Sequence, residues 1–176
     1  DHYVVFGLGP VGMTALLMGR AMGFETIGVD IQPYRLELAS RIGQGTVIDA
    51  SKQDPVEAIR DLTGGKGARG VVECSGSDKG RTQATSVAGR KATVVYVGSG
   101  AQDLKVRIGD IIGKDLTIRG NSVYPVSSYY EAVDFLQSHD VPLDEMVTHR
   151  YRIDQAVEAY NTFDAGRTGK VAFEWD

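Results

Sequence analysis

Residues 4–30 read VVFGLGPVGMTALLMGRAMGFETIGVD, and the order of their parts decides the fold. An apolar run, Tyr3 to Phe6, leads straight into Gly7-Leu8-Gly9-Pro10-Val11-Gly12; a helical stretch follows, and a second apolar run, Thr26 to Val29, closes on Asp30. Each piece suits a dinucleotide. Gly7 permits a tight turn off the strand, Gly9 lets a pyrophosphate approach the backbone, and Gly12 lets the helix lie close to the strand. Pro10 and Val11 open the helix, whose first-turn N–H groups and positive dipole end face the phosphates. Asp30 stands close to the spacing of about 20 residues at which an acid meets the adenosine ribose hydroxyls. A glycine turn alone is a weak signal; strand, turn, helix, strand and acid in this order are a strong one.

Alternation continues beyond that unit. Val11, Ala15, Met18 and Met22 recur at helical spacing, Gly23 is a natural stop, and Gly19 within the helix predicts close packing. A second helix runs from Pro33 to Gly43, and a short strand covers Thr46 to Ile48. Asp54-Pro55-Val56-Glu57 is a helix start, with Thr63-Gly64-Gly65 at its end. Gly70 to Glu73 reads as a buried strand, Asp78 to Ala88 as a weak helix, Thr93 to Val97 as a strand, and Leu116 to Arg119 as a sixth. This pattern predicts an α/β fold: a doubly wound, parallel six-stranded sheet in the order 3-2-1-4-5-6 with helices on both faces. After Gly120 a helix is expected over Ser128 to Ser138 with Tyr130, Val133 and Leu136 buried, and a strand over Val147 to Tyr151. A helix over Ile153 to Phe163, with Ile153, Ala156, Val157 and Tyr160 on one face, and a last strand over Val171 to Trp175 complete the chain.

Composition narrows the function. The chain has 176 residues, 42% hydrophobic and 24% charged, as in a globular domain. A net charge of −4, with scattered Lys and Arg, gives no basic field for nucleic acid. No apolar run is long enough to cross a bilayer. The single cysteine, Cys74, excludes an internal disulfide framework and fits a reducing, cytoplasmic compartment. The chain starts without Met, on a strand, so residues before it are expected to be missing.

GLGPVG at 7–12, VD at 29–30, RLELA at 35–39, DLTGGKGA at 61–68, VVECSG at 71–76, YVGSG at 96–100 and THRYRIDQAVEAYNTFDAGRTGKVAF at 148–173 together resemble the zinc-type medium-chain dehydrogenase/reductase family. The resemblance covers nearly the whole chain. It implies an NAD(H)-binding Rossmann domain over residues 1–120 and a C-terminal segment, 121–176, that returns toward a catalytic domain. It also implies a small alcohol or polyol substrate, a homo-oligomer formed through an edge strand near Leu104 to Ile108 or Leu116 to Arg119, and zinc in a catalytic domain that is absent here. Cys74, His2, His139 and His149 lack zinc-ligand spacing, so no metal residue is expected in this chain.

Asp30 favours NAD over NADP, because its carboxylate accepts ribose hydroxyls and repels a 2′-phosphate. Arg35 is expected near the same ribose by resemblance, and its flexible charge leaves some NADP use open. Ser75 and Gly76 follow the fourth strand, where this fold binds ligands, although a plain turn competes. By resemblance Val97, Gly98 and Ser99 make main-chain contacts at the nicotinamide end, and Lys170 contacts the pyrophosphate; a solvated lysine is the competing view. Cys74 reads as buried wall, His149 as a packed or surface histidine, and Tyr124, Tyr129 and Tyr130 as packing residues.

Three rivals remain. A non-catalytic NAD(H)-sensing module is opposed by the tail, and a zinc-free NADPH-dependent reductase by Asp30. A methyltransferase also puts glycines after its first strand, but fits FGLGPVG and YVGSG poorly. The isolated chain is expected to bind cofactor without turnover.

Overall fold

Six parallel strands carry the molecule: β1 (His2–Phe6), β2 (Glu25–Asp30), β3 (Thr46–Asp49), β4 (Ala68–Glu73), β5 (Ala88–Tyr96) and β6 (Thr117–Gly120), ordered β3-β2-β1-β4-β5-β6. The computed structural model describes residues 1–100 and 106–175. Helices α1 (Pro10–Ala21), α2 (Pro33–Gly43), α3 (Pro55–Leu62), α4 (Asp78–Val87) and α5 (Ile108–Lys114) make the crossovers. After β6 come α6 (Ser128–Ser138), β7 (Val147–Tyr151), α7 (Ala156–Asp164) and β8 (Lys170–Phe173), with β7 and β8 forming a separate two-stranded parallel sheet.

Alternation along β1 explains the layers. Val4 and Phe6 join Ile27, Ile48, Ile59, Val71, Ala84 and Val94 in one buried cluster; Val5 joins Leu8, Met13, Leu16, Leu17, Leu36 and Ile42 in another. One face of the sheet is thus covered by α3 and α4, the other by α1 and α2, as a parallel sheet requires. Met146, just before β7, is buried in the second cluster and accepts a hydrogen bond from Thr14 Oγ1 at 3.6 Å, which seats the C-terminal segment on α1.

Local chemistry sets the helix ends. Asp54 Oδ1 accepts from Val56 N at 2.7 Å and Ser77 Oγ from Gly80 N at 3.0 Å, capping α3 and α4. Gly23, at φ +86°, follows α1 and donates to Arg20 O. The expected tight spot at Gly19 is real: a Cβ there would meet the Tyr3 ring at 2.5 Å.

Several expectations need correcting. The core face of α1 is Gly12, Met13, Leu16, Leu17 and Gly19, whereas Val11 and Met22 are exposed. The helix is apolar nearly all round, so periodicity alone did not choose the stripe facing the sheet. β5 starts at Ala88, where α4 was expected to end, and includes a left-handed Lys91 (φ +57°). Ile108 begins helix α5, so no strand ends there; Leu104 itself lies outside the described residues. Tyr130 is exposed rather than buried, while Val133 and Leu136 are half-buried. The helix expected from Ile153 opens as a 3-10 turn, Ile153–Gln155, and Ala159 is its buried residue; Ile153, Val157 and Tyr160 face solvent. The last strand is shifted to Lys170–Phe173.

Candidate cofactor cleft

The strand order reverses at β1, whose neighbours β2 and β4 connect in opposite directions along the sheet. The carboxyl ends of strands at such a point open a crevice. Here it is a cleft of ≈ 370 Å³ whose walls include Gly7, Gly9, Asp30, Arg35, Cys74 and Ser75.

Glycines let three loops close on one another. Gly7 turns at φ +84°, donates to Val29 O at 2.8 Å, and leaves no room for a Cβ, which would sit 2.6 Å from Ser75 N. A Cβ on Gly12 would overlap the Gly7 carbonyl. Gly76, at φ +65°, presses against Ser99 O and the Gly98 main chain. Gly9 differs: a Cβ there would meet nothing within 4 Å, so its exposed side stays open toward the cleft. Gly9 is also the N-cap of α1 and provides no side-chain cap, and Pro10 lacks an N–H. The first-turn amides of Val11 and Gly12 therefore have no intrahelical acceptor. That end of the helix is an anion site by its donors and dipole.

Asp30 is the most constrained acid near this end. It is 8% exposed, and its carboxylate accepts from Leu8 N at 2.6 Å, Ile31 N at 2.7 Å and Gln32 N at 2.8 Å. One oxygen takes two of these bonds and the other takes one, so of about four lone-pair directions one is left for a ligand hydroxyl. The carboxylate thus also fastens the glycine turn to the start of α2, a role not legible in the motif. Beside it, Arg35 Nε is buried and has no hydrogen-bond partner among the described residues.

Cys74 is half-buried and lines the cleft. Burial, followed by the neighbouring Glu73 charge, pushes its thiol up to about 12, so it is neither base nor nucleophile near neutral pH. Val11 is exposed at the mouth of α1, and Val97, Gly98 and Ser99 continue from β5 to meet Gly76. Lys170 is not part of this wall; it is exposed at the start of β8 and borders a recess with Ala156, Tyr160, Phe163 and Phe173. His149 stacks on Tyr151 within the small sheet and pairs through Nδ1 with Thr148 Oγ1 at 2.9 Å.

Two buried charges were missed from the sequence. Glu73, fully buried at the end of β4, accepts through Oε1 from Ser75 N at 2.8 Å, Gly76 N at 3.1 Å and the Ser75 hydroxyl. Arg81, 7% exposed on α4, donates through Nη2 to Gly98 O at 3.1 Å. A carboxylate closing the apolar run Gly70 to Val72 was the available signal for Glu73.

The glycine turn, the open α1 terminus and Asp30 at the end of β2 form one wall. The family model described as "Zinc-binding dehydrogenase" matches residues 10–138. This chain belongs to the zinc-binding dehydrogenase family. Human sorbitol dehydrogenase is 30% identical over 176 residues, covering 98% of this chain and 49% of that protein. L-threonine 3-dehydrogenase of Symbiobacterium thermophilum is also 30% identical, over 96% of this chain and 49% of its own length. Benzyl alcohol dehydrogenase from Acinetobacter calcoaceticus superposes with TM-score 0.90 at 29% identity, covering all of this chain and 50% of the solved one. The chain spans about half the length of the curated relatives it matches.

Among the described residues no group of three or more His, Cys, Asp or Glu side chains could hold a metal ion. The described residues do not fit zinc. They do fit the phosphates and ribose of a dinucleotide, given the open helix end, the spare Asp30 acceptor and the unpartnered Arg35 Nε. Among the described residues no helix is long and apolar enough to cross a membrane.

Proposed function

We propose that this chain is the NAD(H)-binding part of a zinc-dependent alcohol or polyol dehydrogenase. The observation that carries the reading is the joining of Asp30 to the glycine turn at Leu8 N, beside an uncapped α1. Phosphate oxygens accept from the first-turn amides of α1, and Arg35 flanks the adenosine side. The spare acceptor of Asp30 takes one ribose hydroxyl, and a 2′-phosphate there meets a buried negative charge. Ser75, Gly76, Val97, Gly98 and Ser99 border the nicotinamide end. When bound, the dinucleotide supplies the hydride acceptor; the chain contributes orientation and electrostatics. Substrate binding and zinc belong to the remainder of a longer enzyme, and the isolated chain binds cofactor without turnover.

β6 is a sheet edge whose four residues are all exposed, and pairing it with a second copy would make a homo-oligomer. Residues 121–176 leave Val157, Tyr160 and Trp175 exposed, apolar surface that a catalytic domain would cover. The lone thiol suits the cytoplasm.

Chemical-shift mapping tests the site. NADH should move the amides of Gly7 to Gly9, Val11, Gly12, Asp30 to Gln32, Arg35 and Cys74 to Gly76. Shifts confined to other surfaces would refute the assignment.

A further inference from the structure

We infer that Arg81 is a positioning residue for the nicotinamide end of the cleft, holding the loop after β5 against the turn after β4; this rests on the NAD(H)-binding reading above. Two loops must stay in register there, and neither is held by sheet hydrogen bonds alone. The β4 loop is gathered by Glu73, whose carboxylate takes Ser75 N and Gly76 N, while its main-chain oxygen accepts from Val97 N and Gly98 N at 2.9 Å each. The β5 loop is then pinned from the α4 side. Arg81 Nη2 donates to Gly98 O at 3.1 Å, and a Cβ on Gly100 would stand 2.7 Å from the same nitrogen, so the loop crosses directly over the guanidinium.

Arg81 is itself fixed. Tyr96 Oη, from β5, donates to Arg81 O at 3.0 Å. Burial pushes the Tyr96 phenol up to about 12; the Glu73 charge adds to this and the Arg81 charge opposes it, so both charges act on one ring. A guanidinium this deeply buried is costly unless its charge and donors are used. One use is the Gly98 carbonyl, on the loop that meets Gly76 at the glycine-to-glycine contact. Asp30 and Arg35 approach the cleft from β2 and α2 and have no bond to this network among those described. The geometry therefore predicts an asymmetric effect: the nicotinamide half of the ligand depends on Arg81, and the adenosine half does not.

The test compares NADH with ADP, which carries the adenosine and diphosphate but no nicotinamide, by calorimetric titration of the full chain. Arg81→Met should weaken NADH about tenfold, the scale of one charge-assisted bond, and leave ADP within about twofold. Arg81→Lys, which keeps the charge and one donor, should recover part of the loss. Tyr96→Phe, which removes only the hydroxyl and opens no cavity, should weaken NADH about threefold with ADP unchanged, and serves if Arg81→Met fails to fold. Unchanged NADH affinity in the folded variants, or equal losses for both ligands, would overturn the inference. Wild-type chain that binds neither ligand would instead overturn the NAD(H) reading.

Discussion

Replacing Asp30 by Asn separates structural from ligand-binding roles before any cofactor is added. The wild-type carboxylate accepts three main-chain N–H groups, from Leu8, Ile31 and Gln32, at 2.6 to 2.8 Å. Asparagine has one oxygen. Turned toward Ile31 and Gln32, it presents its NH₂ to the Leu8 amide, donor against donor. The Ile31 and Gln32 bonds are partly buried and the Leu8 bond is buried, so water replaces the last least well. A buried donor left unsatisfied costs about 1–3 kcal/mol. Taking about 2 kcal/mol, and about 2–4 °C per kcal/mol for a domain of this size, the melting temperature should fall by roughly 4–8 °C. Calorimetric or circular-dichroism melting of ligand-free chain at pH 7 reads this directly. A variant melting within about 1 °C of wild type would refute the strut, leaving Asp30 as a ligand contact alone. If the strut holds, affinity losses in Asp30 variants must be compared with this structural loss.

Gly19→Ala brings a Cβ to 2.5 Å from the Tyr3 ring. The overpacking, about 1–3 kcal/mol, should outweigh a helix-propensity gain of about 1 kcal/mol and lower Tm; in a Tyr3→Val background the same change should raise Tm. Cys74, with its thiol near 12, should react with iodoacetamide at pH 8 about 10³-fold more slowly than an ordinary cysteine, and NADH should slow it further; labelling at the rate of a free thiol would contradict its burial. Cys74, Tyr3 and Tyr96 all have raised values in the folded state. Their stabilising contribution is full below their ordinary values and lost as pH rises, so a Tm profile should decline from about pH 9 toward pH 12.

Much of the scaffold was legible because local chemistry specifies it. Pro33 and Asp54-Pro55 mark helix starts, and the expected order 3-2-1-4-5-6 is the observed one. α5 was not legible: IGDIIGK carries two glycines and three β-branched residues in seven positions, which argue against a helix that tertiary contacts with β5 and α4 nevertheless support. The stripe on α1 was misassigned because Val11, Ala15, Met18 and Met22 compete with Met13, Leu16 and Leu17 at the same period. At the cleft, the motif pointed to Gly7, Gly9, Asp30 and Ser75, and the fold brings them to one wall with Arg35. Arg81 was invisible because its acceptor, Gly98 O, lies on another loop, and sequence spacing does not encode that contact.

Calorimetric titration of the purified chain with NADH and, separately, NADPH tests the central claim most directly. Saturable NADH binding, at least tenfold tighter than NADPH, is predicted from the buried Asp30 carboxylate beside the open α1 terminus. Tighter binding of NADPH, or no saturable binding of either, would contradict it.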